Sequence, residues 1–339
     1  MTKARNLSLL SAVEAGATAD QTKADIDSLG INGVNKNWII NGDFQVSQRG
    51  AFTSATALTT SSVFHLDRFK SKHNNISGTV THKIAQTVDG KLTNTMLLTA
   101  TAGSNGRVES VQRIEAIQPF VSQTITFSAW VKSNSASSRI IIHQNGANIQ
   151  TSSNQHTGGG AFELLKGTVT CAANSGDIYL YAGIQAAGTG NVAIANGHYF
   201  EMAFVQVEHG SVATNFEYRS YGAELALCQR YFERMYFKSS AVVAIGTAYS
   251  STHCISCLDF TEKRTTPSIT MPACSEAGFS FLTATGNYPS NHGTMSVTAS
   301  TISKNNFRFI SASGAGHTAG DAKWVHSGGT NHIDIDAEF

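Results

Sequence analysis

Charged residues are scarce in this sequence, and neither sign of charge dominates. Asp, Glu, Lys and Arg make up 14% of the chain, against about 25% in an average protein. The 24 basic and 23 acidic residues nearly cancel, so the chain lacks the strong positive field that holds nucleic acids or anionic membranes. We therefore expect no nucleic-acid partner.

Long apolar runs are also missing. The opening MTKARNLSLLSAVEAGATADQ contains no apolar core of a secretory signal, and no stretch approaches the ~18 apolar residues of a membrane helix. We expect a protein that is made in the cytoplasm without a Sec signal and that inserts into no membrane.

The five cysteines do not form a disulfide framework, because their number is odd and the chain is long. Cys254 and Cys257 form a C-x2-C motif, but a second pair of zinc ligands is absent. In a strand, these two positions also point to opposite faces. We predict buried free thiols, with a zinc site helped by His253 as the alternative.

Ser, Thr, Asn and Gly fill the space that charges leave, and they suit short strands and tight turns. VSQTITFSAWVK (121–132) alternates apolar and polar residues, and DIYLYAGI (177–184) places Tyr179 and Tyr181 opposite an apolar face. We predict a mainly β protein, with an antiparallel jelly-roll sandwich over 36–220 and a second, smaller sandwich over 236–339.

Two segments depart from this β pattern. Residues 1–35 contain a short helix candidate, with Asp20 as N-cap and Gly30 just past its end; a floppy terminus is the alternative. Residues 221–235 are predicted to form a connecting helix, with Arg234 near its end to complement the helix dipole. Its buried stripe, packed on a β domain or on sister helices, contains Leu225, Cys228, Phe232 and Met235.

Several strings, in order along the chain, resemble tail fibres and fibre-like tail proteins of tailed bacteriophages. GATADQTKADIDSLGI resembles their attachment segment, while NWIINGDFQVSQRG and FHLDRF resemble the start of a jelly-roll domain similar to carbohydrate-binding modules. The end of that domain is similar to FVQVEHGSVATNFEYRSYGAELALCQRYFER. A small β domain that follows it in these proteins is similar to LDFTEKRTTPSITM and IDIDAEF. At positions 69, 220 and 263 this chain has Phe, Ser and Lys where the family pattern usually has Trp, Pro and Met. The resemblance does not identify the receptor-binding loops.

The resemblance implies a homotrimeric tail fibre in the virion, synthesised in the host cytoplasm. Residues 1–35 would attach it to a tail or baseplate protein. Residues 236–339 would face a host-surface glycan or another envelope component, and many copies together would bind firmly. The alternatives are a fibre with polysaccharide-depolymerase activity and a purely structural tail adaptor without a receptor site.

Aromatic side chains flanked by amides and imidazoles in the last domain are the receptor-binding candidates, because aromatic faces stack on sugars. They lie in two predicted loops, with His317 and Asn331 nearby; packing in the core or between subunits is the alternative. These candidates are Tyr288, Asn291, His292, Trp324 and His326.

The sequence shows no catalytic motif, so we predict that the protein is not an enzyme and has no cofactor. Asp334 and Asp336 share one strand face at a spacing that two glycosidase carboxylates could use, but solvent-side alternation explains it equally. The resemblance also implies a structural calcium near Asp43 and Glu208. The alternative for this pair is a turn Asp and a surface Glu.

Overall fold

A computed structural model describes residues 36–59, 62–115, 118–174, 176–272, 278–283, 294–296, 301–312 and 318–339. The fold is mainly β and antiparallel with one short helix in these ranges, as predicted. The predicted attachment segment, 1–35, lies outside them. The chain forms two compact units: unit 1 contains 36–44, 52–63 and 69–219, and unit 2 contains 45–51, 64–68 and 220–339.

Unit 1 is a β-sandwich of two antiparallel sheets. The strands of its first sheet, in spatial order, are β1 (Thr56–Ala57), β4 (Gly78–Val88), β5 (Lys91–Ala100), β13 (Tyr199–His209), β7 (Thr124–Ser133) and β10 (Phe162–Thr170). Those of its second sheet are β3 (Phe69–Asn74), β6 (Ser104–Ile114), β11 (Ile178–Ile184), β8 (Ser138–Gln144) and β9 (Ile149–Ser152), with β12 (Val192–Ile194) beside β6. A short strand, β2 (Val63–Leu66), precedes β3, and a 3-10 turn, Gln118–Phe120, precedes β7.

The core of unit 1 follows the alternation that the sequence predicts. In β7 the buried apolar side chains are Ile125, Phe127, Ala129 and Val131. In β11 they are Ile178, Leu180, Ala182 and Ile184. Because side chains alternate across a strand, the polar and aromatic residues between these positions turn away from the core.

Unit 2 is a second, smaller pair of sheets. One sheet contains β14 (Phe232–Phe237), β22 (Asn331–Asp336) and β17 (Ser268–Thr270) in that spatial order. The other contains β18 (Phe279–Thr283), β21 (Ala322–Ser327), β15 (Ala241–Ala248), β16 (His253–Asp259), β20 (Asn306–Ala312) and β19 (Thr294–Ser296). Their shared core is rich in phenylalanine and includes Phe279, Phe307, Phe309, Ile333 and Ile335.

The predicted connecting helix is shorter than expected. Helix α1 spans Tyr221–Gln229, with Ser220 as N-cap, whose side chain accepts a hydrogen bond from the amide of Ala223. Leu225 and Cys228 lie in this helix, but Phe232 and Met235 lie in β14. The prediction of a helix as far as residue 235 was therefore wrong, and the four residues do not form one helical stripe.

Cross-strand pairing explains why the chain leaves the helix after Gln229. Arg234 stands directly opposite Asp334 in the β14–β22 ladder and donates two hydrogen bonds of 2.6 Å to its carboxylate. Met235 stands opposite Ile333, which belongs to the core of unit 2. Arg234, which we expected to complement the helix dipole, instead forms a cross-strand ion pair with Asp334. Strand pairing therefore decides the structure of this segment, although its apolar residues have a helical spacing.

Two segments within the predicted jelly-roll domain, 45–51 and 64–68, belong to unit 2. They contribute Arg49 and Arg68, whose guanidinium carbons lie 3.6 Å and 3.5 Å from the ring centroids of Phe232 and Tyr231. Arg68 also forms a buried ion pair with Glu338. Unit 2 is thus assembled from three separate stretches of the sequence.

The described cysteines are free thiols, but the predicted burial fails at Cys257. Cys171, Cys228 and Cys254 are buried and Cys257 is exposed, and burial raises the pKa of the Cys171 thiol to about 11. Within the described residues, no three His, Cys, Asp or Glu side chains are grouped so that they could hold a metal ion. Among the same residues, no helix has the length and hydropathy needed to cross a bilayer.

Candidate functional site

The outer side of the second sheet of unit 1 carries a concentration of aromatic and polar side chains. We call it the tyrosine face. It is built from three central strands, because alternation sends every second residue of β6, β8 and β11 away from the core. The tyrosine face consists of Glu109, Val111 and Arg113 of β6, Arg139, Ile141 and His143 of β8, and Tyr179, Tyr181 and Gly183 of β11.

The strand register arranges these residues in three rows across the sheet. His143, Tyr179 and Arg113 are direct neighbours in the first row, and Ile141, Tyr181 and Val111 in the second. In the third row Arg139 and Glu109 flank Gly183, and Lys72 of β3 extends the row beyond Glu109. Aromatic rings therefore cluster at one end, and charged side chains surround a glycine at the other.

The aromatic end consists of three partly exposed rings. The ring centroids of Tyr179, Tyr181 and His143 lie 6.2–6.3 Å from one another. Burial raises the pKa of both tyrosines, and the neighbouring Glu109 carboxylate adds to the rise at Tyr181. Both phenols therefore stay protonated at neutral pH and can donate hydrogen bonds beside an apolar ring face.

Gly183 forms the floor between the charged residues. A Cβ atom at this position would lie 2.1 Å from the carbonyl oxygen of Val108 and 2.7 Å from the Cα of Glu109, so no side chain fits. Arg139 and Glu109 consequently face each other across a position without a side chain. Glu109 is fully buried although it lies on the side away from the core.

Ion pairs hold part of this face in place. One oxygen of Glu109, Oε1, lies 3.3 Å from Lys72 Nζ and 3.1 Å from Arg107 Nε. Arg107 also donates a 2.6 Å hydrogen bond to the carbonyl of Thr189, which fastens the loop after β11 to the rim. At the aromatic end, Arg113 pairs with Asp177 at 2.7 Å.

Several buried polar atoms of this region have no hydrogen-bond partner in the part of the chain that the structure describes. They are Glu109 Oε2, Arg139 Nε, His143 Nε2, Gln150 Oε1 and both amide atoms of Gln185, which lies two residues beyond Gly183. A buried polar group without a partner is costly and uncommon in a native structure. Six such atoms border the tyrosine face, which makes this face the candidate site.

The receptor-binding candidates chosen from the sequence lie elsewhere. Tyr288, Asn291, His292 and His317 fall outside the described residues. Trp324 and His326 lie in strand β21 and not in a loop, which corrects the predicted placement. Asn331 begins β22, where its amide donates to the carbonyls of Gly278 and Gly329.

Trp324 belongs to the outer face of the larger sheet of unit 2. It is 36% exposed and stands directly opposite Ile245, which is 73% exposed, while His326 beside it is buried. Leu282 stands opposite Trp324 on its other side, and Ser280 stands opposite His326 in the next row.

Several of the residues predicted for the helix stripe and for calcium binding pack in the core or form hydrogen bonds within the chain. Cys228 and Phe232 are buried, and Met235 packs on the core of unit 2. Glu208 accepts hydrogen bonds from the backbone amide and hydroxyl of Thr214 and from the side chain of Gln206. These donors already occupy both of its oxygens, and no described group of carboxylates joins it to Asp43 as a metal site.

The carboxylate pair considered for glycosidase chemistry is also engaged in ion pairs. Both oxygens of Asp334 accept from Arg234, and Asp336 lies 3.2 Å from Arg49 Nη2. A catalytic acid or nucleophile must be free to reach its substrate. The spacing of these residues therefore reflects cross-strand pairing at the edge of unit 2.

Comparison with known proteins finds no matching protein family and no matching curated protein. Solved structures with a similar fold include the enzymatically active domain of tailspike protein 4 of bacteriophage CBA120, with 11% identity and a TM-score of 0.34 over 51% of this chain and 21% of that one. A CBM4 structure has 12% identity and a TM-score of 0.29 over 50% and 98%. A putative sugar binding protein from Bacteroides thetaiotaomicron has 10% identity and a TM-score of 0.28 over 52% and 100%.

These matches concern the type of fold alone. The chain spans about a fifth of the tailspike chain. The tyrosine face is identified as the candidate site from the positions of its own residues.

Sequence reasoning missed this face, although the outward tyrosines of DIYLYAGI were visible. Two tyrosines at i and i+2 opposite an apolar face are a usable signal, because they must share one sheet surface. Arg139 and Glu109 were not recognisable as their neighbours, since they lie on other strands and only the register brings them together.

Proposed function

We propose that this protein binds carbohydrate through the tyrosine face of unit 1 and serves as a fibre-like component of a tailed-phage virion. The observation that carries the binding is the pairing of two half-exposed tyrosines with buried polar atoms that have no described partner. A sugar presents an apolar ring face and a rim of hydroxyl groups. The tyrosine rings suit the first, and the guanidinium, carboxylate and amide groups suit the second.

The virion role rests on the ordered sequence resemblance. In this proposal, residues 1–35 attach the protein to a tail or baseplate protein, and a homotrimer presents several copies of the face to a host-surface glycan. Each contact is reversible, and several copies together give firm adsorption. The protein acts as a binder and not as an enzyme.

A glycan array followed by calorimetry on the full-length protein tests the binding proposal. We expect at least one glycan to bind, and Tyr179→Ala combined with Tyr181→Ala to weaken binding at least about tenfold, because stacking on each ring contributes about 1 kcal/mol. The control is Tyr249→Ala, which removes a more exposed tyrosine from unit 2. Unchanged affinity in the double variant would contradict the proposed site.

Light scattering on the full-length protein tests the assembly. We expect a mass of three chains at micromolar concentration, and a uniform monomer would contradict the homotrimer. Incubation with host envelope polysaccharide tests the competing depolymerase function. Release of reducing ends would overturn the proposal that the protein only binds.

A further inference from the structure

The third row of the tyrosine face contains an arginine whose surroundings differ from those of its neighbours. Arg139 is 8% exposed and forms no ion pair with a carboxylate among the described residues. Its guanidinium faces the side-chain amide oxygen of Gln155, as the hydrogen-bonding pattern orients that amide. By contrast, Arg107 and Arg113 of the same sheet each pair with a carboxylate.

Burying a guanidinium without an anion is unfavourable, because the charge loses water and gains no opposite charge. Burial also lowers the pKa of Arg139. A single neutral amide satisfies only part of a group that offers five N–H donors, and Nε has no described acceptor. An anion supplied by a ligand would satisfy it.

The opposite wall of the row has complementary chemistry. Glu109 is bound through Oε1 by Lys72 and Arg107, whereas its buried Oε2 has no described donor. That oxygen can accept a hydrogen bond from a hydroxyl group. Around Gly183 the three cations Arg139, Arg107 and Lys72 therefore face one carboxylate, and the local charge is positive.

The spacing fits a single sugar ring. Neighbouring strands lie about 4.8 Å apart, so the backbones of Arg139 and Glu109 stand roughly 10 Å apart across Gly183. Gly183 places no side chain between Arg139 and Glu109. A ring lying there would reach the guanidinium with one substituent and the Glu109 carboxylate with a hydroxyl.

We propose that this row selects acidic glycans, with the Arg139 guanidinium binding the carboxylate of a uronic-acid unit and Glu109 Oε2 accepting one of its hydroxyls. A carboxylate matches the planar fork of an arginine through two parallel hydrogen bonds. The inference rests on the proposed carbohydrate binding and deepens it, since it names the class of sugar.

Calorimetry on the full-length protein can separate the charge from the sugar. The probes are oligogalacturonate and oligoalginate, each compared with its carboxyl-reduced form, which keeps the ring and removes the charge, and with a sulfated galactan. We expect each acidic probe that binds to do so at least about tenfold more tightly than its reduced form, with an affinity that falls as salt is added.

Variants then locate the preference. Arg139→Gln should remove the difference between the acidic and the reduced probe, and Arg139→Lys should keep part of it, because lysine retains the charge but not the fork. The matched control Arg308→Gln, at an exposed position of unit 2, should leave the preference unchanged. The comparison of probes on the unaltered protein stands even if a variant fails to fold.

The outcomes distinguish the two proposals. Equal binding of acidic and reduced probes would overturn the acidic selectivity and leave carbohydrate binding intact. Tighter binding of the sulfated galactan than of the carboxylates would overturn the choice of a uronic acid. Failure to bind any glycan, on these probes or on the array, would overturn the proposed function itself.

Discussion

The buried charges of unit 2 and those around Gly183 on the tyrosine face of unit 1 have different surroundings. In unit 2, buried charged groups meet partners of opposite sign: Arg68 pairs with Glu338, and Lys263 lies 2.6 Å from Glu233. On the tyrosine face of unit 1, Arg139 faces only an amide, and Glu109 keeps one oxygen without a described donor. Similar residue types thus stabilise one unit internally and, we propose, serve a ligand in the other.

The cluster of unit 2 around Asp67 and Phe232 combines several kinds of contact. The carboxylate of Asp67 accepts the backbone amide and the side-chain amide of Gln48, each at 2.7 Å, and the same side chain donates to the carbonyl of Phe232. Arg49 stacks on the ring of that phenylalanine. Ion pairing, hydrogen bonding and stacking thus involve the same few side chains, so removing one side chain leaves its neighbours without part of their contacts.

The largest effect should come from breaking a pair in unit 2. Arg68→Ala leaves the buried Glu338 without its partner and opens a space beside Tyr231, so we expect a loss of about 3–5 kcal/mol in the free energy of unfolding. Arg139→Ala, in unit 1, should change it by less than about 1 kcal/mol, because no ion pair is lost. Chemical denaturation of both variants measures the contrast, and equal losses would contradict it.

A smaller effect concerns pH and the same cluster. Burial raises the pKa of Glu338 above its ordinary value of 4.5, against the opposing pull of Arg68 and Arg49. The folded state therefore holds this proton more tightly than the unfolded state. Its contribution to stability is complete below pH 4.5 and is lost as the pH rises through the raised pKa.

Glu338→Gln isolates that contribution, because glutamine does not titrate. We expect the stability of the unaltered protein relative to this variant to fall as the pH rises from about 4 upward, measured by denaturation at a series of pH values. If the relative stability instead rises with pH, the guanidinium groups outweigh burial and the pKa of Glu338 is lowered.

The smallest effect should come from a neutral side chain of unit 1. Gln185 is fully buried, and neither of its amide atoms has a described partner. Gln185→Leu should therefore raise the free energy of unfolding by about 1 kcal/mol, since it removes an unsatisfied amide. Thermal unfolding of this variant and of the unaltered protein, each with and without glycan, would measure the gain in stability.

Gln112 supplies the matched control. It is equally buried in unit 1, but its side chain exchanges two hydrogen bonds, of 2.9 Å and 2.8 Å, with the backbone of Ile40. Gln112→Leu should thus lower stability by about 1–3 kcal/mol. A loss of stability from both substitutions would mean that Gln185 has partners in solution.

Sequence patterns foresaw the strands of both sandwiches because alternation is a local property. Ile178 and Leu180 are buried as the period of two requires, and Tyr179 and Tyr181 point the other way. The helix boundary failed for the opposite reason. Phe232 and Met235 have a spacing that suits a helix, and only a strand about 100 residues later, which pairs Arg234 with Asp334, decides against it.

The candidate site could not be predicted from local sequence patterns either, because it also depends on the pairing of distant strands. Arg139 precedes the apolar run of residues 140–142 and carries no signal of its own. Strand β11 lies between β8 and β6, although β8 and β6 both precede it in the sequence. The row of Arg139, Gly183 and Glu109 exists only once that order is known.

The pairing of Arg68 with Glu338 joins residues that are 270 positions apart. Contacts between such distant residues form late in folding, because a long loop must close before they are made. The buried ion pair of unit 2 therefore forms only after this long loop has closed. A fragment beginning at residue 236 would lack Arg49, Arg68, Tyr231 and Phe232, and with them the stacked cation–ring pairs of unit 2.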